Sequence, residues 1–287
     1  MDSDNKFHKC TVLISSCDSY EDTWEPFFRI MDIQWPDCPY PIVLNTESKQ
    51  YSYKNFEISC PNHYVKGQKV AWGERLIHTL KAINTEYVIF LLDDFFFTNK
   101  VDQKRIEMCI SWMDNDTDIS VFSFRRTHQP NIKDGLYPCF ERRPQDAEYR
   151  LNCQAAVWRR EDLISYIKPH ETPWEWEIYG SRRSRKYTKK FYSAIEGAPY
   201  VFDYDIMKYG VIRGKWAKTT VPFFEQFGIN NVDYEHRGFA DEDNPYGDKE
   251  PYSMKLHFPK DIVTKEFWKQ IWLRMNIFYR KTKSLYF

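Results

Sequence analysis

The chain has 287 residues, room for one large domain or a domain with a substantial extension. Lysine plus arginine and aspartate plus glutamate each number 41, so no net field recruits a polyanion such as nucleic acid. Aromatic residues at 18% and charged residues at 29% imply a real core, plus a surface or cleft where amphipathic rings meet polar ligands.

In chain order, Thr11 to Ser15 is a short apolar strand, and Tyr20 to Met31 is a helix entered from a Ser/Asp-rich loop. Pro41 to Asn45 gives a second strand. Val70 to Ile83 has helical spacing, with Ala71, Ile77, Leu80 and Ile83 as its inner positions. Tyr87 to Leu92 is short and continuously apolar, the pattern of a strand buried on both faces. A helix over 102–114 and a strand over Ile119 to Phe124 follow. Strands alternating with helices predict an α/β sheet with parallel strands at its centre.

Beyond residue 125 the pattern loosens. A loop rich in Arg, Pro and Gln runs to Arg150, then a strand over Leu151 to Trp158 and a short helix over Arg160 to Ile167. The segment Glu171-Thr172-Pro173-Trp174-Glu175-Trp176-Glu177 opens a further helix that continues into Arg182, Arg183, Arg185 and Lys186. Residues past 200 read as irregular. No internal repeat or linker is visible, so one compact domain with a C-terminal extension is expected.

The seven cysteines are scattered, odd in number and without a C-x-x-C pair, which argues against a zinc site or disulfide framework and fits a reducing compartment. The start, Met1 to Lys6, is polar and acidic and reads as no signal peptide. No apolar run approaches the length of a membrane span, so a cytoplasmic protein is expected.

Asp93 and Asp94 end the apolar run at Leu92 and precede Phe95, Phe96 and Phe97. A buried strand cannot carry two ionised carboxylates through its middle without a heavy desolvation penalty, so the pair belongs where the strand emerges. In an open α/β sheet the carboxyl ends of the strands are where ligands bind. Two carboxylates there suit a divalent cation and a phosphate-bearing ligand. The competing account is a turn or a helix cap, but Asp102 is the better cap for the helix that follows.

Three segments in this order resemble a glycosyltransferase of the GT-A type, of the kind that builds bacterial capsule or lipopolysaccharide. They are Thr11 to Ser15 with Ser16-Cys17-Asp18-Ser19-Tyr20 and Trp24-Glu25-Pro26-Phe27-Phe28; the helix containing Arg75 with Leu92-Asp93-Asp94-Phe95; and Asn152 to Trp158 followed by Pro173-Trp174-Glu175-Trp176-Glu177. They cover roughly the first two thirds of the chain, as a coarse pattern. The resemblance implies a Rossmann-like mixed sheet flanked by helices over 1–225, with an irregular or helical extension over 226–287 packed on it or at a membrane surface. It implies a nucleotide-sugar donor contacted by Ser16, Tyr20, Arg75 and Asp93, and Mn²⁺ or Mg²⁺ held at Asp94. The family's D-x-D motif has Leu92 in place of its first acid here, which implies a weak metal dependence. A glycan or lipid-linked acceptor, inversion of the anomeric centre, and a catalytic base at Glu177, with Glu175 second, complete the implied activity. Gln154, Trp174 and Trp176 are the implied acceptor contacts.

The residues themselves leave alternatives open. Acids in a first helical turn also occur for dipole reasons alone. Trp174 and Trp176 are core residues or a platform for a sugar face. Arg75 is a solvated helix position or a contact to the nucleotide or diphosphate, and Tyr20 packs or stacks on the base. Gln154 is a hydrogen-bonded core amide or an acceptor contact. The run 182–190 is a solvated face or a site for lipid-linked phosphate, and Arg213-Gly214-Lys215-Trp216 is a surface turn or a loop over a diphosphate. His236 and His257 are left outside the metal set. Near the C-terminus, Trp268, Ile271, Trp272, Met275 and Phe278 form an apolar stripe ringed by lysine and arginine, which packs on the core or docks peripherally at an inner membrane face. Competing functions are a metal-dependent phosphohydrolase, which needs further metal ligands, and a non-catalytic carbohydrate-binding protein, which has no use for paired acids.

Overall fold

The computed structural model describes residues 9–126 and 131–241. The chain divides into two compact units, Met1–Pro245 and Tyr246–Phe287; the second, with the amphipathic stripe and His257, lies outside the described residues. Eight strands form one mixed sheet: β1 Cys10–Ser15, β2 Ile42–Asn45, β3 Ile58–Ser59, β4 Tyr87–Leu92, β5 Ile119–Ser123, β6 Phe140–Arg142, β7 Ala156–Arg159 and β8 Lys190–Ala194. Their order across the sheet is β3-β2-β1-β4-β7-β5-β8-β6. β1, β2, β3 and β4 run parallel, as do β5 and β8, while β7 lies antiparallel between β4 and β5. This is the expected α/β architecture, a Rossmann-like mixed sheet flanked by helices.

β4 is buried on both faces, as its continuous apolar run predicts. Tyr87, Ile89 and Leu91 meet α1 (Glu21–Gln34) and α3 (Gln103–Asn115) through Trp24, Phe28, Ile106 and Met113. Val88 and Phe90 on the other face meet α2 (Trp72–Ala82) and α4 (Arg160–Tyr166) through Leu76, Leu80 and Leu163. Asp102 caps α3 as expected, accepting from the Arg105 amide at 3.0 Å.

Four features differ from the sequence expectations. The buried face of α2 is Trp72, Gly73, Arg75, Leu76, Thr79 and Leu80, with Ile77 only half-buried, because the polar Arg75 and Thr79 find partners inside. β6 falls in a segment read as loop, β8 begins at the last residue of the cationic run 182–190 and extends beyond it, and β7 is shorter than the strand expected from Leu151. The helix after Thr172 is interrupted: α5 (Pro173–Glu175) passes through a π-helical turn, Trp176–Gly180, into α6 (Ser181–Ser184). Past residue 200 the chain is ordered into a β9–β10 hairpin (Val211–Ile212, Lys215–Trp216), α7 (Thr220–Gln226) and α8 (Tyr234–Arg237).

Phe95, Phe96 and Phe97 lock the chain leaving β4, all three at most 1% exposed. Phe95 stacks on Tyr204 at 4.1 Å, Phe96 meets Phe224 edge-on at 4.8 Å, and Phe97 packs on Phe27 and Phe202. Truncating a fully buried aromatic removes its transfer energy and leaves a cavity. Phe96→Ala is therefore expected to lower unfolding free energy by about 3–5 kcal/mol. Urea titration followed by fluorescence checks this.

Candidate active site

The parallel strands β1, β2, β4, β5 and β8 all end at one edge of the sheet, where β7 begins, so Ser16, Asp93, Asp94 and the segment 152–155 converge there. Ser15 is in register with both Leu92 and Asn45, which sets Ser16 beside Asp93. The Ser16 hydroxyl donates to Asp93 Oδ2, and Thr23 Oγ1 donates to the same oxygen at 3.0 Å. Trp24 Nε1 donates to Ser16 Oγ at 2.7 Å, completing a relay between α1 and the strand ends. Asp93 is thus buried and internally bonded, a position that fixes the loop instead of presenting a carboxylate to a ligand.

Asp94 differs. It is half-buried, and its Oδ1 is enclosed without a hydrogen-bond partner. Burial pushes its pKa up, and the neighbouring Asp93 charge pushes it further. Burial also raises Asp93, opposed by the bonds from Ser16 and Thr23. An acidic oxygen in this state favours the arrival of a cation. Among the described residues, no three or more His, Cys, Asp or Glu side chains gather as a ready-made metal cluster.

Toward β2, Asp18 accepts from the backbone amides of Glu47, Ser48 and Lys49 at 2.9–3.2 Å and from Ser48 Oγ at 2.6 Å. Arg75 pairs with the Glu47 carboxylate and donates to the Ser16 carbonyl at 2.8 Å. Only 4% exposed, it is neither solvated nor open to a ligand; it braces the Ser16 loop. Tyr20 carries the Arg237 guanidinium 4.0 Å over its ring. Arg237 also grips Asp22 at 2.6 and 2.5 Å and the Ser19 carbonyl at 2.7 Å, and its charge pulls the Asp94 pKa down. Sequence reasoning missed Arg237. The available signal was a short helix bounded by Asp233, which caps the amides of Glu235 and His236, and by Gly238 at φ 64°.

Toward β7, Cys153 N donates to Glu177 Oε1 at 2.8 Å. The carboxylate is half-buried in the π-helical turn, and burial raises its pKa. Burial pushes the Cys153 thiol pKa up, and the charges of Glu177 and Asp94 push it further. π turns often mark functional positions. Glu175 turns away, its carboxylate accepting from Thr172 N at 2.8 Å in a capping box. Trp174 is 51% exposed, whereas Trp176 is 1% exposed and packed on Trp72 and Trp158, so it offers no face to a sugar. Gln154 accepts from the Tyr204 hydroxyl at 3.0 Å, so its amide is both hydrogen-bonded and near the edge.

His236 is exposed, and Arg213-Gly214 forms the two-residue turn of the β9–β10 hairpin, with φ of 50° and 81°. A surface cavity of about 500 Å³ lined by Glu25, Arg29, Asp32, Ile33, Ser52, Tyr53 and Lys54 contains none of the expected site residues. Among the described residues no helix is long and apolar enough to cross a membrane.

No protein-family model matches the chain, and no curated protein does. Solved structures do. Residues 1–349 of S. aureus TarS share 12% identity at a TM-score of 0.44, covering 67% of this chain and 59% of that one. A cytidylyltransferase from Leptospira borgpetersenii shares 14% identity at 0.40, covering 66% and 76%. The mannosyltransferase PcManGT from Pyrobaculum calidifontis, in complex with GDP-Man and Mn²⁺, shares 11% identity at 0.35, covering 54% and 45%.

Asp94 carries a raised pKa in the fold, so its ionisation opposes folding. That penalty is absent below the ordinary aspartate range and grows as pH rises toward the shifted value. Asp94→Asn is therefore expected to melt above wild type near about pH 8, the gap closing near about pH 4. Thermal melts of the ligand-free protein at both pH values check the sign.

Proposed function

We propose that this protein transfers a sugar from a nucleotide-sugar to a hydroxyl of a glycan or lipid-linked acceptor, with inversion at the anomeric carbon. One observation carries the reading: the enclosed, unpartnered Asp94 oxygen follows the end of β4, and the half-buried Glu177 carboxylate accepts from Cys153 N in the segment that enters β7, both at the same edge of the sheet. Donor phosphates belong beside Asp94, and the acceptor hydroxyl beside Glu177.

Asp94 fits a Mn²⁺ or Mg²⁺ site in which a single carboxylate is joined by substrate phosphate oxygens, a common pattern for small hard cations. Held at Asp94, such an ion would supply charge neutralisation for the departing diphosphate. Arg237, although paired with Asp22, still favours ionised Asp94 and adds to the positive charge that a bound cation would bring. Tyr20 offers a ring for the base, with Arg237 on one face. Asp93, Ser16 and Arg75 hold the loops that seat the donor. Glu177 takes the proton from the acceptor hydroxyl as its oxygen bonds to the anomeric carbon. The bond from that carbon to the diphosphate breaks, and its electron pair leaves with the nucleoside diphosphate. Gln154, bonded to Tyr204 near the edge, and the exposed Trp174 are the acceptor contacts in this reading. A phosphohydrolase with two metal ions is less well supported, because such a site needs converging ligands and none cluster among the described residues.

Nucleoside diphosphate release from a panel of nucleotide-sugars tests the activity, and silence across the panel would refute it. Glu177→Gln is expected to bind donor as wild type does while turnover falls by about two to four orders of magnitude. Because burial raises Glu177, the acid limb of the wild-type rate profile should lie above the ordinary glutamate range. Glu175→Gln should keep that limb and most of the rate. A crippled Glu175→Gln beside an active Glu177→Gln reverses the assignment. In calorimetry, Asp94→Ala should lose the Mn²⁺-dependent part of donor affinity, and equal affinity in both proteins argues against Asp94 as the metal ligand.

A further inference from the structure

We infer that Arg125 forms an anion subsite on the acceptor side of the cleft, so that the acceptor bears a phosphate or carboxylate. The inference rests on the transferase reading for the word acceptor, but the subsite itself stands on its own geometry. Arg125 leaves β5 at the same edge of the sheet as Asp94 and Gln154. One ring joins all three. Phe95, next to Asp94, stacks on Tyr204 at 4.1 Å and 10° between planes. The Arg125 guanidinium lies 4.7 Å over the same ring, hence on its remaining face. The Tyr204 hydroxyl donates to Gln154 at 3.0 Å and accepts from Ala155 N at 3.1 Å.

Arg125 is half-buried and oriented, its Nη1 donating to the Tyr204 carbonyl at 3.1 Å. No carboxylate pairs with it among the described residues, although Arg126 pairs with Glu196 and Arg237 with Asp22. A guanidinium fixed by a ring and a backbone carbonyl, with no carboxylate paired to it among the described residues, retains N–H groups suited to a planar oxyanion. The setting gives that charge a purpose. An anionic acceptor docks in one orientation when a fixed cation faces its charged group. Arg125 supplies it, and Tyr200, 55% exposed and 5.7 Å from the guanidinium, adds an aromatic surface beside it.

Calorimetric titration of the full chain with methyl phosphate, methyl glucuronide and neutral methyl glucoside, at constant ionic strength, tests this. Wild type is expected to bind at least one anion about tenfold or more tighter than Arg125→Gln does, as for a lost charge-assisted hydrogen bond. Arg125→Lys, which keeps the charge, should fall between them and serves if Arg125→Gln fails to fold. Methyl glucoside should not distinguish the three proteins. The stronger of the two anions names the source, phosphate or uronic acid. Anion affinities equal in wild type and Arg125→Gln, or no anion binding to wild type, overturn the subsite. UDP and GDP titrations run alongside: wild type that binds neither counts against the donor site, whereas nucleotide affinity equal in all variants leaves the anion result to judge Arg125 alone.

Discussion

Asp93 is the constraint on which the rest of the cleft depends. A carboxylate at the end of a doubly buried strand is tolerated only if its charge is met by donors. Ser16 and Thr23 meet it, and Trp24 fixes Ser16 from behind. Those three donors come from the end of β1 and the first turn of α1, so satisfying Asp93 fixes three chain segments against one another. The next residue is then held in place whether or not its own carboxylate is satisfied. Asp94 can remain under-bonded because Asp93 is not.

The acids of the site divide by environment more than by position in the chain. Asp18 is saturated by backbone amides, Glu47 by Arg75, and Glu175 by the cap of its own helix. Each of these joins segments together. Asp94 and Glu177 instead combine burial with spare acceptor capacity, and burial raises both. Paired titratable groups set in distinct environments are what proton transfer and charge neutralisation at one centre require.

The first half of the fold was legible because its signals are local. The continuous run of β4, the cap at Asp102 and the alternation of strand and helix need no tertiary knowledge. The second half was less so, since β6 and β8 draw their burial from partners distant in the chain, and β8 begins with a lysine at the end of a cationic run. The face of α2 was misread for a related reason: Arg75 looks solvated until its pairing with Glu47 and the Ser16 carbonyl is seen. At the site, the strand end and its acids were visible. Trp174 and Trp176 as a joint platform were not compatible with a helix, where residues two apart point roughly 200° from each other. The same spacing sends Glu175 to the cap and Glu177 toward Cys153.

The cation on the donor side depends on the aromatic triplet as much as the acids do. Phe96 stacks against Trp216 of the β9–β10 hairpin. The Trp216 amide in turn donates to the Gly238 carbonyl at 3.0 Å, and its carbonyl accepts from Ala240. Gly238 directly follows Arg237, so the tether on Trp216 fixes where α8 ends and where the guanidinium meets Tyr20 and Asp22. Phe95 performs the equivalent task toward Tyr204 on the other side. Two consecutive rings after Asp94 therefore set the surroundings of the carboxylate in both directions. Phe95 and Phe96 are thus part of the site's construction, holding in place charges at positions 94, 125 and 237 that are far apart in the chain.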